Sequence, residues 1–162
     1  MIMAKLIMMS GIPGSGKSTW AKNHIKASDI YISRDDIRFS MLNETDDYFA
    51  HEDEVIKEFF NRINNALANG YDVIADATHL NKSSRANFLS KVEGYERLEI
   101  VYMDIPLCVA LERNDLRTNR AFVPRGIIRR MWNQYQPPTF EEGFDKIYRI
   151  GSDNKITIIR KE

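Results

Sequence analysis

The stretch GIPGSGKST at residues 11–19 follows a short apolar run and precedes a segment with helical character. It fits the pattern G-x-x-x-x-G-K-[ST], in which backbone amides and a helix N-terminus surround phosphate oxygens. The lysine of this pattern reaches the β and γ phosphates of a nucleoside triphosphate, and the serine hydroxyl ligates Mg²⁺. We therefore predict that ATP or GTP binds here with Mg²⁺, through Gly11, Pro13, Gly14, Ser15, Gly16, Lys17, Ser18 and Thr19.

Apolar runs alternate with amphipathic segments along the chain, which predicts a parallel sheet with helices on both faces. The predicted strands are KLIMMS, DIYIS, YDVIADA, LEIVYMDI and KITIIR. The predicted helices cover residues 17–27, 34–41, 47–69, 82–93, 106–117 and 124–134. Gly70 and Gly94 stand where helices end, and Asn81 stands where it would cap the next helix. We expect an α/β, doubly wound fold in a single domain over residues 1–162.

Composition bears on partners and compartment. Lysine and arginine number 23, and aspartate and glutamate also number 23, so net charge gives no argument for a nucleic-acid partner. No apolar run approaches the roughly 20 residues of a membrane helix, so we expect a cytoplasmic protein without a membrane partner. The one cysteine, Cys108, cannot form an internal disulfide and is expected to be a small core residue.

The segment SRDDIR follows the second predicted strand directly. Ligands of open α/β sheets bind at the carboxyl ends of the strands, so Arg34, Asp35 and Arg38 should project into the crevice that holds the phosphate loop. If a helix begins at Arg34, Asp35 and Arg38 share one face and Asp36 points away. Asp35 is then a candidate base for an attacking hydroxyl, and Arg38 is a candidate to hold an anion of the acceptor. An ion pair that only stabilises the helix start is the alternative.

Asp76 closes the third predicted strand at the same edge of the sheet. A carboxylate there can hold Mg²⁺ or one of its waters, directly or through Ser18, while a capping role is the alternative. Thr78, His79 and Asn81 follow in the same loop and are candidates to line the acceptor pocket. For His79, a histidine whose hydrogen bonds are satisfied within the loop is an equally good interpretation.

Six arginines and a single acid, Asp115, lie between residues 113 and 130. Arg113, Arg117 and Arg120 are spaced by four and three, so a continuing helix would place them along one face. An arginine-bearing lid at approximately residues 113–124 would bring positive charge to the transition state and exclude water. A solvated basic helix is the alternative. We favour that alternative for the remaining three, Arg125, Arg129 and Arg130.

In this order, the blocks resemble the kinase domain of the polynucleotide 5′-hydroxyl kinases, both the phage type and the metazoan kinase-phosphatase. The resemblance rests on GIPGSGKSTWAK, SRDDIR, DATHLN, NDLRTNRAFVP and PPTFEEGFDKI. It implies a P-loop fold of the adenylate-kinase-like type that uses ATP and Mg²⁺. It also implies that Asp35 is the general base, that Arg38 contacts the nearest phosphate of the acceptor, and that Asp76 matches the third acidic position of the family.

The same resemblance implies that lid arginines contact the phosphates of ATP, with Arg117 foremost and Arg113 and Arg120 in support. The predicted catalytic residues are thus Lys17, Asp35 and Arg117. The D-x-D-G-T motif of the phosphatase module that often accompanies such kinases does not occur in these 162 residues.

We predict transfer of the γ-phosphate of ATP to the 5′-hydroxyl end of DNA or RNA. Zero net charge is compatible with this activity, because strand ends need few phosphate contacts. A ligase that consumes the product is a candidate partner. The first alternative is a kinase for a small acceptor, such as a nucleoside, nucleotide, nucleotide sugar or antibiotic. The second is a nucleotide-binding switch, which has no need for an acid and an arginine in the acceptor crevice.

Overall fold

The computed structural model describes residues 4–118 and 121–162. Within them, six strands form one sheet in the order β2-β3-β1-β4-β5-β6. Strands β1 to β5 are parallel, and β6 pairs antiparallel with β5. This arrangement confirms the predicted α/β sheet. The strands are β1 (Lys5–Ser10), β2 (Ile30–Ser33), β3 (Val73–Asp76), β4 (Arg97–Met103), β5 (Lys146–Ile150) and β6 (Ile156–Ile159).

Helices connect the parallel strands and cover the sheet. They are α1 (Lys17–His24), α2 (Arg34–Met41), α3 (Glu52–Ala68), α4 (Lys82–Leu89), α5 (Leu107–Asp115) and α6 (Arg125–Gln134), with a short 3-10 helix at Phe140–Glu142. In the described parts of the chain, no helix is both long enough and apolar enough to cross a membrane.

The core occupies both faces of the sheet, as the period of two in β1 requires. Leu6 and Met8 of β1 pack in a cluster with α3 and α4, whereas Met9 packs in a second cluster with α1. Helix α3 contributes buried apolar side chains at a spacing of four, which places them on one stripe. Burying each of them stabilises the fold by about 1.5–3 kcal/mol. They are Val55, Phe59, Ile63 and Leu67.

Local signals in the sequence set several helix ends correctly. The amide of Asp36 donates to the Ser33 hydroxyl at 3.2 Å, so α2 is capped directly before Arg34, the first residue of the predicted helix. Asn81 caps α4 by accepting from the Ser84 amide at 2.8 Å. Gly70 adopts φ of 81° directly after the C-cap of α3, as predicted. Gly94 also has a positive φ of 94°, but α4 ends at Leu89, so the predicted end of that helix at residue 93 was four residues too late.

Other boundaries differ from the prediction. Helix α3 begins at Glu52 rather than at residue 47, because the Ala50 amide donates to the Asp47 carbonyl and closes a turn. Helix α5 ends at Asp115, and the Arg117 amide donates to the Asn114 carbonyl at 3.0 Å in a tight turn. The predicted end of this helix at residue 117 was therefore two residues too late, and Arg113 and Arg117 do not lie on one continuous helix.

Two further features differ from the prediction. Strand β5 was not predicted, since charged residues interrupt the apolar run KIYRI at both Lys146 and Arg149. Cys108 is exposed rather than buried. It lies near the start of α5, away from the face that is buried through Ala110 and Leu111.

Candidate functional site

The phosphate loop joins β1 to α1 at the carboxyl edge of the sheet. Gly14 and Gly16 have φ of 82° and 90°, which side chains rarely tolerate. A Cβ on Gly14 would lie 2.3 Å from the carbonyl oxygen of Ala110. Helix α5 therefore packs so closely against the loop that no side chain fits at this position. The Gly11 amide donates to the Thr78 carbonyl at 3.0 Å and ties the loop to the segment after β3. The loop is therefore fixed on two sides.

Lys17 and Ser18 form the first turn of α1. This turn carries no acidic residue, so its free amides keep their positive potential. Lys17 forms no ion pair with any carboxylate in the described residues. The ammonium group and the helix N-terminus therefore present positive charge at the place where a triphosphate is predicted.

Asp76 lies beside this turn with only 3% of its surface exposed. Its Oδ2 accepts a hydrogen bond from the Ser18 hydroxyl at 2.6 Å and another from the Tyr31 hydroxyl. Burial and the charge of Asp76 raise the pKa of Tyr31, so this phenol stays a neutral donor. The other oxygen, Oδ1, is buried without a hydrogen-bond partner in the described structure.

This donor set fits Mg²⁺. The ion prefers oxygen ligands and is commonly bound by one or two carboxylates together with substrate phosphates and water. The Ser18 hydroxyl and the unpartnered Oδ1 of Asp76 supply such oxygens. Among the described residues, no group of three or more acidic, histidine or cysteine side chains forms a fuller metal site. The remaining ligands would have to come from phosphate and water.

The Asp35 and Arg38 side chains meet on one face of α2, as their spacing predicted. Arg38 Nη1 lies 2.5 Å from Asp35 Oδ1. Register connects this pair to the phosphate loop, because Ser33 at the end of β2 lies beside Asp76 of β3. Asp76 in turn accepts from Ser18. The loop follows β1 and the pair follows β2, the two strands on either side of β3, so both lie at the same carboxyl edge of the sheet.

The Asp35 carboxylate has one engaged oxygen and one open oxygen. Oδ1 accepts from Arg38 and, at 2.8 Å, from the Tyr48 hydroxyl. No described residue donates to Oδ2, and 56% of the side chain is exposed. Burial raises the pKa of Tyr48, and the negative charge of Asp35 raises it further, so the Tyr48 hydroxyl stays protonated. The geometry leaves an oriented carboxylate with a free oxygen that can take a proton.

Arg38 is more enclosed than its predicted role suggested. It is 4% exposed, and Glu52 at the start of α3 accepts from its Nη2 at 2.7 Å. Glu52 also accepts from Arg34 at 2.5 Å and so bridges the two guanidinium groups. Sequence reasoning missed Glu52 and Tyr48, because each lies in a different element from α2. An anion bound at Arg38 would have to share its guanidinium with the carboxylates of Asp35 and Glu52.

The lid arginines divide into three cases. Arg113 lies against the phosphate loop, where its Nη1 donates to the Ser15 carbonyl at 3.2 Å. Arg117 donates to the Ala121 carbonyl at 2.9 Å, within its own segment. Arg120 lies outside the described residues. The base of the segment is held by buried Asn114, which exchanges two hydrogen bonds with the backbone of Val123.

The three arginines for which a solvated position was favoured are Arg125, Arg129 and Arg130, and all of them are exposed. Arg125 forms an ion pair with Asp115 at the surface. This prediction is confirmed.

A buried arginine that was not predicted as a site residue holds the loop after β3 in place. Arg85 of α4 is 0% exposed and donates to the His79 carbonyl at 3.0 Å and to the Gln136 carbonyl at 2.9 Å. Glu142 balances its charge with contacts at 2.7 and 3.1 Å. The Ser10 hydroxyl donates to the same His79 carbonyl, so Arg85 helps to position the loop that holds Thr78.

His79 is a buried structural residue. Its Nδ1 donates to the Met9 carbonyl at 2.7 Å, its φ is 41°, and its ring packs edge-on against Phe88. Nε2 is buried without a partner in the described structure. Burial lowers the pKa of His79 to about 4. The hydrogen bond to the Met9 carbonyl and the charge of Asp76 raise this pKa, whereas the charges of Arg34 and Lys17 lower it further.

The free energy of unfolding should therefore fall as pH falls from 6.5 to about 4, by up to about 3 kcal/mol from His79 alone. In this window the unfolded histidine binds a proton that folded His79 does not, so acid favours the unfolded chain. Urea unfolding across these pH values, without nucleotide or Mg²⁺, measures the effect. The control is His79→Asn, since asparagine tolerates positive φ and does not titrate. His24 and His51 are present in both proteins, and equal pH slopes would contradict the prediction.

The chain is similar to a protein family, to curated proteins and to solved structures. The family described as AAA domain matches residues 6–138. The chain is 29% identical over 157 residues to a protein of Acanthamoeba polyphaga mimivirus named as a bifunctional polynucleotide phosphatase/kinase, covering 90% of this chain and 33% of that protein. It is 28% identical over 148 residues to the L-seryl-tRNA(Sec) kinase of Methanococcus maripaludis, covering 86% of this chain and 56% of that protein.

A solved structure is also similar. A chain of the Pnkp1/Rnl/Hen1 RNA repair complex superposes with a TM-score of 0.73 at 25% identity, covering 100% of this chain and 50% of that one. The present chain thus spans a third to just over half of the length of these proteins. The matches confirm the resemblance to polynucleotide kinases that the motifs predicted.

Proposed function

This chain belongs to the AAA domain family, and we propose that it is an ATP-dependent kinase for the 5′-hydroxyl end of a polynucleotide. The kinase chemistry is supported by two curated relatives that are named as kinases. A polynucleotide acceptor is supported by the name of the mimivirus relative and by the likeness to a chain of an RNA repair complex. We further propose that a ligase acts on the 5′-phosphate end that this reaction would produce.

The observation that carries the proposal is the acid and arginine pair beside the phosphate loop. Asp35 offers a free carboxylate oxygen, and Arg38 holds the other oxygen at 2.5 Å. In the proposed reaction, the acceptor hydroxyl oxygen forms a bond to the γ-phosphorus of ATP while the bond to the β–γ bridging oxygen breaks. ADP leaves with that oxygen, and the hydroxyl proton passes to Asp35.

Other residues position the donor. Lys17 and the amides at the start of α1 bind the β and γ phosphates, since they are not neutralised by a carboxylate. Mg²⁺, when bound, neutralises charge on the phosphate oxygens, and Ser18 and Asp76 would hold it directly or through water. Arg113, which already contacts the loop, and Arg117 in the lid would neutralise transition-state charge.

Acceptor and donor assignments can be tested together. Purified protein is incubated with labelled ATP and Mg²⁺, with 5′-hydroxyl DNA, 5′-hydroxyl RNA and a nucleoside 3′-monophosphate as acceptors. We expect Mg²⁺-dependent labelling of a polynucleotide end. The same strands with a 5′-phosphate are the matched controls and should stay unlabelled. Release of ADP without label on any strand would contradict the proposal.

The seryl-tRNA kinase match favours a second candidate, a kinase that acts on a hydroxyl of an aminoacyl-tRNA or of a smaller acceptor. The same loop and the same Asp35 would serve, because the donor geometry does not depend on the acceptor. Label on seryl-tRNA, or on a small hydroxyl acceptor in a coupled ADP assay, in the absence of label on strand ends, would support this candidate.

A further inference from the structure

An exposed aromatic side chain borders the candidate base. Phe49 lies in the turn between α2 and α3 with 65% of its surface exposed, more than any other aromatic side chain in the described residues. A ring that is exposed to this extent buries little apolar surface, so Phe49 contributes little to the stability of the core.

The ring is held rather than loose. Phe49 meets Tyr48 edge to face with centroids 4.7 Å apart, and the Arg38 guanidinium lies 5.8 Å from the Phe49 centroid. The backbone around it is fixed by the Ala50 amide, which donates to Asp47, and by the Glu52 amide, which donates to the Phe49 carbonyl at 3.2 Å. The turn therefore presents one face of a supported ring to solvent.

Tyr48 links this ring to the acceptor crevice. Its hydroxyl donates to Asp35 Oδ1 at 2.8 Å, and its ring also lies 4.3 Å from the Arg38 guanidinium. A single side chain thus separates Phe49 from the carboxylate that would receive the proton of the acceptor hydroxyl. The base of an acceptor nucleotide is bonded to the same sugar that carries the 5′-hydroxyl, so a surface one side chain away from Asp35 is within its reach.

We propose that Phe49 is a stacking platform for the nucleobase of the acceptor nucleotide. The inference rests on the proposed function and narrows it, because a sugar acceptor offers no flat base to stack on the ring. No lysine or arginine occurs between residues 39 and 56, so the turn offers its contact to a base rather than to a phosphate. Stacking of this kind accepts every base, which suits an enzyme that acts on strand ends.

Steady-state kinetics with matched acceptors test the platform. One 5′-hydroxyl oligonucleotide carries a normal terminal base, and the second is abasic at that nucleotide. In Phe49→Ala we expect the KM for the normal strand to rise about tenfold, the scale of a lost base–aromatic contact, with kcat within about twofold. The KM for the abasic strand should not change. Phe49→Trp should keep the wild-type KM, and Tyr71→Ala, which removes an exposed aromatic ring elsewhere, should have no effect.

Binding measured without turnover separates this inference from the proposed function. Tryptophan fluorescence of Phe49→Trp, corrected for the wild-type signal, is titrated with each oligonucleotide in the presence of ADP. We expect quenching by the base-bearing strand and not by the abasic strand. Quenching without any phosphorylation would overturn the proposed function and leave the platform standing. Phosphorylation with equal KM changes for both strands, or with none, would overturn the platform.

Discussion

Replacing Asp35 by asparagine should lower kcat for phosphoryl transfer by about 10²- to 10⁴-fold. The asparagine side chain keeps the shape of aspartate, and its oxygen can still accept from Arg38 and Tyr48. It cannot take a proton from the acceptor hydroxyl. The loss should therefore fall on kcat, while the affinity for ATP, measured by equilibrium binding, stays within about twofold.

Asp36→Asn is the matched control, because it makes the same change one residue away. Asp36 is exposed and forms no side-chain ion pair in the described structure. Its backbone amide, which caps α2, is unaffected by the substitution. We expect its kcat to stay within about twofold of wild type. Equal losses in both variants, or full activity in Asp35→Asn, would remove Asp35 from the role of base.

The side-chain placements that the sequence anticipated depend on short-range geometry. The phosphate loop is a contiguous motif, and Asp35 meets Arg38 because three residues make nearly one helical turn. Asp76 lies beside Ser18 because β1 and β3 are parallel, so both strands end at the same edge of the sheet. Each of these needs only the local conformation and the order of strands around β1.

The parts that the sequence missed depend on packing between elements distant in the chain. Tyr31 reaches Asp76 from 45 residues away, and Glu52 reaches Arg38 across the turn between α2 and α3. Arg85 meets Glu142 at a separation of 57 residues, with no pattern in either segment that would pair them. These contacts decide which charges and hydrogen bonds surround the predicted residues. The sequence therefore indicated which residues lie near the phosphate loop, but not how their charges are balanced.

Glu52 changes how the acceptor side is understood. The sequence offers Arg38 as a free cation, whereas the structure surrounds its guanidinium with Glu52, Asp35 and Tyr48. Its charge is largely balanced within the protein, which makes Arg38 first of all a residue that orients Asp35. A phosphate of the acceptor would compete with Glu52, so the affinity for the acceptor has to draw on further contacts such as the Phe49 ring.

Replacing Lys17 by methionine should lower kcat by about 10²- to 10³-fold and also weaken ATP binding, because one fixed cation at the developing phosphate charge is lost. Methionine retains an unbranched chain of similar length and suits a helix, so the first turn of α1 should persist. Lys26→Met, with an exposed side chain beyond the end of α1, makes the same charge change and should stay within about twofold of wild type. Thermal unfolding of both variants checks the fold. A Lys17→Met protein that retains full turnover, or that loses ATP hydrolysis no more than Lys26→Met does, would show that this loop does not hold the transferred phosphate.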